Sequence, residues 1–330
     1  MQPRPRRPRA ALLGLAGAAL LTVTACGGSQ AGSGANDTIK VVASTNVWAS
    51  VAQAVGGDAV AVSSILTDPS ADPHGYEVKP ADATKLADAK VLVSNGGGYD
   101  DFFTGLSDRV ADARKVVAFD LSGKGETGEH AEEHSHAEGE EHAHEGEEHG
   151  HDHGAVNEHV WYDLPTVRKV ADTLATQLGE VAPDRKDEFA ANAKTFGDGL
   201  TALTTKAVAI GAAKPGAKVI ATEPVAGYLL ETAGLTDATP EAFSEAIEDE
   251  TDPPAAAVAE TDALVTGKQV AVVVYNDQTE TPLTKQLKDK AIAAGVPIVG
   301  VTETLPEGAT GYLDWMTKQV DSLAGAVSQA

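Results

Sequence analysis

The chain has 330 residues and a formal net charge of −24, from 49 Asp and Glu against 25 Lys and Arg. That balance lacks the basic footprint that nucleic-acid binding needs, and it fits solubility and the attraction of cations. A single cysteine rules out any disulfide within the chain.

Arg4, Arg6, Arg7 and Arg9 precede an apolar stretch, Ala10 to Ala25, that is too short and too rich in glycine for a membrane span. Residues 1–25 therefore read as a secretory signal and are excluded from fold reasoning. The run Val23-Thr24-Ala25-Cys26 resembles the lipobox of bacterial lipoproteins, which implies cleavage before Cys26 and lipid on that residue. The next residues, GGSQAGSGAND, make 26–37 a flexible tether. An extracytoplasmic protein is expected, anchored to the outer face of the cytoplasmic membrane. Loss of the four leader arginines takes the formal charge from −24 to −28.

Two pairs of segments look alike. KVVASTNVWASVAQAVGG from Lys40 matches KVIATEPVAGYLLETAGL from Lys218 at an offset of 178. VLVSNGGGYDDFFTGL from Val91 matches VVVYNDQTETPLTKQL from Val272 at an offset of 181, with Asn95 over Asn276. Each is a short β-branched run, a polar turn and a segment of helical period, as in parallel strands buried on both faces. Between the pairs, Pro165 and Pro183 open two helical stretches, the second about 30 residues long and closed by Lys214-Pro215-Gly216. The expected fold is α/β: two similar lobes, each a small parallel sheet with flanking helices, joined by one long rigid helix. The N-terminal lobe spans 38–164, the helical connector 165–213 and the C-terminal lobe 214–330. Residues 124–155 form an insertion in the first lobe.

That insertion holds eight of the ten histidines: His130, His134, His136, His142, His144, His149, His151 and His153. Ten carboxylates accompany them between 129 and 154, with no Lys or Arg. So few apolar residues cannot offset the entropy of ordering, and no independent fold is expected. Imidazoles that are mostly neutral near pH 7 make the stretch a loose trap for zinc.

In open parallel sheets ligands bind beyond the carboxyl ends of the strands. The residues that carry chemistry, most of them at strand-to-helix junctions, are His74, His159, Glu223 and the group Asp277, Gln278 and Glu280. Taken singly, each has an ordinary reading: a loop histidine, a helix-start carboxylate, an Asx turn. Converging on one cleft, imidazole and carboxylate together suit zinc, manganese or iron(II).

The segment DPHGYEVKPADATKLADAKVLVSNGGGYDDF, residues 72–102, resembles the first metal-ligand region of the zinc/manganese solute-binding proteins of bacterial ABC transporters. NEHVWYDLP, 157–165, is similar to their second ligand region, and AIAAGVPIVGVTETLPEG, 291–308, to their closing segment. The likeness covers most of Ile39 to Val320. It implies one metal ion in an inter-lobe cleft, with His74 and His159 as direct ligands and Glu223 in third position. A glutamate there is typical of the manganese/iron branch, whereas the zinc branch usually has a histidine. The fourth ligand is expected from the segment before Pro282, where Asp277 best balances a divalent charge and Gln278 or water is the alternative. A His- and acid-rich insertion before the second histidine marks mainly zinc members. The expected function is capture of Zn2+ for an ABC permease by a monomer, without catalysis. The alternatives are a manganese/iron-binding member and a lipid-anchored zinc hydrolase with an open position for activated water.

Overall fold

The computed structural model describes residues 38–68, 75–125 and 156–330. The leader, the tether with Cys26, His74 and the eight histidines from 130 to 153 lie outside the described residues. The first half comprises β1 (Ile39–Ala43), α1 (Asn46–Gly56), β2 (Val60–Ser64), α2 (Pro80–Leu86), β3 (Val91–Ser94), α3 (Asp101–Ser107), β4 (Arg114–Val117) and α4 (Ala118–Ser122). Two long helices follow, α5 (Leu164–Val181) and α6 (Lys186–Ala213). The second half comprises β5 (Lys218–Ala221), α7 (Gly227–Thr232), β6 (Thr236–Asp237), α8 (Glu241–Glu248), α9 (Ala255–Thr266), β7 (Val272–Asn276), α10 (Pro282–Ala294), β8 (Ile298–Val301) and α11 (Tyr312–Gln329).

Among the described residues the strands form two parallel four-stranded sheets, ordered β2-β1-β3-β4 and β6-β5-β7-β8. The α/β fold with two similar halves is thus present, and the two sequence offsets return as register. Val41 pairs with Val91 in the first sheet, and Val219 pairs with Val272 in the second. Beyond the strands the match continues: Ser44 N–H donates to the Val93 carbonyl and Thr222 N–H to the Val274 carbonyl, each at 2.9 Å. β3 and β7 are buried along their whole length, as parallel strands covered on both faces must be.

One continuous apolar core serves both sheets. It takes Val41 and Val93 from the first, Val219 and Val272 from the second, and faces of α1, α5, α6 and α11. Along α6, Phe196, Leu200, Leu203, Ala207 and Ile210 recur every three or four residues, and all are buried. Full burial of a side chain of this size is worth about 1.5–3 kcal/mol, so this stripe ties the helix to both halves. Two glycines permit the close approach. A Cβ on Gly197 would lie 2.0 Å from the Arg168 guanidinium of α5, and one on Gly211 2.4 Å from the Ala233 carbonyl. The outer faces of the two sheets carry separate smaller clusters.

The chain after β8 crosses to the first half. Asn46 of α1 clamps Leu305 twice: its amide donates to the Leu305 carbonyl at 3.1 Å and its carbonyl accepts from Leu305 N–H at 2.9 Å. Tyr162 O–H donates to the Thr302 carbonyl at 2.9 Å, Tyr312 O–H to the Trp161 carbonyl at 2.7 Å, and Tyr312 N–H to Ser50 Oγ at 2.8 Å. No described helix is long and apolar enough to cross a membrane.

Candidate metal centre

His159 starts a short 3-10 turn, Val160–Tyr162, and is fully buried. Its Nδ1 lies 2.7 Å from Asn157 Oδ1, which also accepts from His159 N–H at 3.0 Å. An amide oxygen can only accept, so Nδ1 carries a proton and Nε2 is the ring atom left to face a ligand. Trp161 and Tyr99 support the ring in edge contacts, with centroids 5.0 and 6.0 Å away. The Asn157 amide nitrogen donates to the Pro224 carbonyl at 2.8 Å, so one side chain links the histidine to the turn after β5.

That turn carries Glu223, which is 4% exposed. Its Oε2 accepts from Asn276 Nδ2 at 2.5 Å, and its Oε1 accepts from the Thr279 hydroxyl. The second N–H of the same Asn276 amide reaches Glu303 Oε1 at 2.9 Å. Glu303 lies just beyond β8 and is 2% exposed. Asn276 is therefore a fork between two buried carboxylates, and its own Oδ1 accepts from Gln278 N–H at 3.1 Å. Gln278 in turn accepts from Glu303 N–H at 2.5 Å and donates to Thr304 Oγ1 at 2.9 Å, which fixes the Glu303 loop.

From α8, Glu248 Oε1 lies 3.2 Å from His159 Nε2. Among the described residues, Glu158, His159 and Glu248 each offer a ligand atom within 4.8 Å of the others. The electrostatics show how acidic this pocket is. Burial pushes the Glu223 carboxyl up to about 7, against hydrogen bonds from Asn276 and Thr279. Burial likewise pushes Glu303 up to about 8, against the attraction of His159. Burial disfavours charge on His159, but the carboxylates of Glu248, Glu158 and Glu303 outweigh it and hold the ring up to about 9. Carboxyls crowded in a buried pocket hold protons that a cation can displace, and an imidazole nitrogen among carboxylate oxygens is a donor set for a divalent one.

The candidates read from sequence fall as follows. His159 and Glu223 come together, Asn157 linking the histidine to the Pro224 carbonyl beside Glu223. His74 lies outside the described residues. Asp277 sits elsewhere: its side chain is 51% exposed, 3.7 Å from Lys288, and lies against Gly300. The cause is strand alternation. Successive side chains leave opposite faces, so a strand that aims Asn276 into the pocket aims Asp277 away from it. Glu280 also faces Lys288, at 3.9 Å, and hydrogen-bonds Tyr275. Sequence reasoning did not single out Glu303, Glu248 or Glu158. Glu303 had one available signal, its place just past a buried strand, like Glu223. Glu248 had none, because it ends a helix and does not follow a strand.

Residues 41–326 match the model of the family described as ZnuA, zinc-uptake complex component A, periplasmic. The chain belongs to that family. Its members are components of metal-transport systems, not enzymes, so a hydrolase reading is set aside. Relatives of this ZnuA-family chain include the manganese-binding lipoprotein MntA of Bacillus subtilis, 26% identical over 56% of this chain and 54% of that protein. The zinc-binding lipoprotein AdcA of Streptococcus pneumoniae is 26% identical over 83% of this chain and 53% of that protein. The chain spans about half the length of the curated relatives it matches. Among solved structures, the periplasmic zinc-binding protein TroA of Treponema pallidum superposes with a TM-score of 0.67 at 17% identity, over 88% of this chain and 99% of that one. A crystal structure of ZnuA gives 0.65 at 19% identity, over 88% and 99%. At these identities the structures establish the shared two-lobed fold.

Proposed function

We propose that this protein is the extracytoplasmic binding component of an ABC importer and captures a divalent metal ion, Zn2+, between its two halves. The observation that carries this reading is His159: fully buried, anchored through Nδ1, and presenting Nε2 toward buried carboxylates from the second half. His159 and Glu223 serve as ligands, joined by His74 as the sequence likeness implies. Glu303 takes the place first expected of Asp277, because Asn276 holds it beside Glu223 whereas Asp277 faces Lys288. Cys26 carries the lipid anchor, and the histidines from 130 to 153 collect zinc for the cleft. The membrane permease docks around the cleft mouth.

A second reading, Mn2+ as cargo, is favoured by the donor chemistry itself. Carboxylate oxygens outnumber the described imidazole, and oxygen-rich sets suit manganese. The relatives include proteins named for each metal.

The test is metal content and competition titration on protein beginning after the tether, with and without residues 129–153, and with His74→Ala, Glu303→Gln and Asp277→Asn. One tight ion that survives loop deletion and Asp277→Asn, and is lost in His74→Ala and Glu303→Gln, is the expected result. Tight binding that vanishes with the loop and ignores the cleft variants would refute the cleft reading.

A further inference from the structure

Glu248 reaches the pocket from an unexpected direction. Glu223 and Glu303 follow strands, whereas Glu248 is the last residue of α8. Phe243 and Ile247 of α8 are buried in the outer cluster of the second half, with Ile220 and Val273. That packing fixes the helix and leaves Glu248, one residue beyond Ile247, directed at the seam. Its side chain is only 8% exposed.

The placement works against the helix. A helix C-terminus carries partial negative charge and favours cations, yet α8 ends in Glu248 with no basic residue in its last turn, and Asp249 and Glu250 follow. The position makes physical sense where a positive charge lies just in front of it. His159 Nε2 is there, 3.2 Å from Glu248 Oε1. Two ligand atoms, each about 2.1 Å from one ion and about 90–110° apart, are separated by about 3.0–3.4 Å. The observed spacing matches the bite of two donors on a single ion, and the same spacing lets a proton bridge them when no ion does.

We infer that Glu248 is an additional ligand to the captured ion, beyond the set proposed above, and that it decides how well the site accepts Mn2+ relative to Zn2+. The inference rests on the cleft reading of the previous section. Zinc is satisfied by four ligands in a tetrahedron, so a further carboxylate adds little to its binding. Manganese takes an octahedral set rich in oxygen, and loses a protein ligand to water if Glu248 cannot coordinate.

The experiment is parallel competition titration of Zn2+ and Mn2+ on the wild type, Glu248→Gln, Glu248→Asp and His159→Ala, all with residues 129–153 deleted so that only the cleft is read. Glu248→Gln should weaken Mn2+ by about tenfold or more while weakening Zn2+ by no more than about threefold. Glu248→Asp, which keeps the charge on a shorter arm, should fall between wild type and Glu248→Gln for Mn2+. Thermal unfolding of each apo variant checks folding, and a purely structural ion pair would move both metals together. Equal losses for the two metals, or no loss for Mn2+, would overturn the inference while leaving the cleft reading intact. Retention of tight binding by His159→Ala would instead defeat the cleft reading itself.

Discussion

The two halves place an asparagine at the same point and use it differently. Asn95 follows β3 and Asn276 ends β7, each buried. Asn95 Nδ2 donates to the backbone carbonyl of Glu158, beside His159, at 2.9 Å. Asn276 Nδ2 donates to the carboxylates of Glu223 and Glu303. The first half thus uses its amide to hold the loop that carries the buried His159, and the second uses it to hold two buried carboxylate side chains. A duplicated scaffold supplies a position, and the local loops determine what that position does.

The largest expected effect falls on the first half. His159→Ala removes the anchored imidazole, and tight metal binding by the loop-deleted protein should drop by about a thousandfold or more, read by competition titration. If the drop were no larger than for a second-half carboxylate variant, the division of roles between the halves would be wrong.

The asparagine pair sharpens the comparison further. Asn276→Ala leaves two buried carboxylates without their shared donor and should cost about 1–3 kcal/mol in apo stability, together with a clear loss of metal affinity. Asn95→Ala should cost a similar amount in denaturant unfolding, with a smaller loss of affinity, because its partner is a backbone carbonyl. Equal effects on affinity would make the two amides equivalent.

The pH dependence reads both halves together. The Glu223 and Glu303 values of about 7 and 8 lie above the ordinary 4.5, so the stability their protonated forms contribute is full below 4.5 and is lost as pH rises through about 7 and 8. His159, held up to about 9 from 6.5, contributes below 6.5 and loses its contribution as pH rises through 9. All three act in the same direction. Apo stability should fall from about pH 4.5 to about 9, and metal affinity should rise over that range, because the ion displaces those protons. Calorimetry in buffers of different ionisation enthalpy would count the protons released. The smallest effect belongs to Asp277→Asn: with its side chain half exposed and ion-paired at 3.7 Å, it should change stability and zinc affinity by no more than about 0.5 kcal/mol.

Much of this was legible in the sequence, for identifiable reasons. Buried parallel strands have few ways to be written, so KVVA and KVIA revealed both sheets and their common register. Glu223 stood out because it follows a run that turns abruptly from apolar to polar, and His159 because it is one of only two histidines outside the acidic insertion. Asp277 was chosen on charge, and charge carries no information about which face of a strand a residue leaves; the neighbouring Asn276, uncharged, was the one turned inward. Glu248 required knowing how α8 packs, which depends on Ile220 and Val273 from distant strands. The stripe on α6 was visible as a helical period, but not that one stripe would serve both sheets.

Glu303 is covalently part of the second half, yet the chain immediately around it is fastened to the first by Asn46, Tyr162 and Tyr312. No rigid separation of the halves can leave it where it is. A parting motion either breaks the clasp of Asn46 on Leu305 or draws Glu303 away from the Asn276 fork. On the proposed function, grip on the cargo and closure of the seam are therefore geared together: whatever pries the halves apart would loosen the ion with the same stroke.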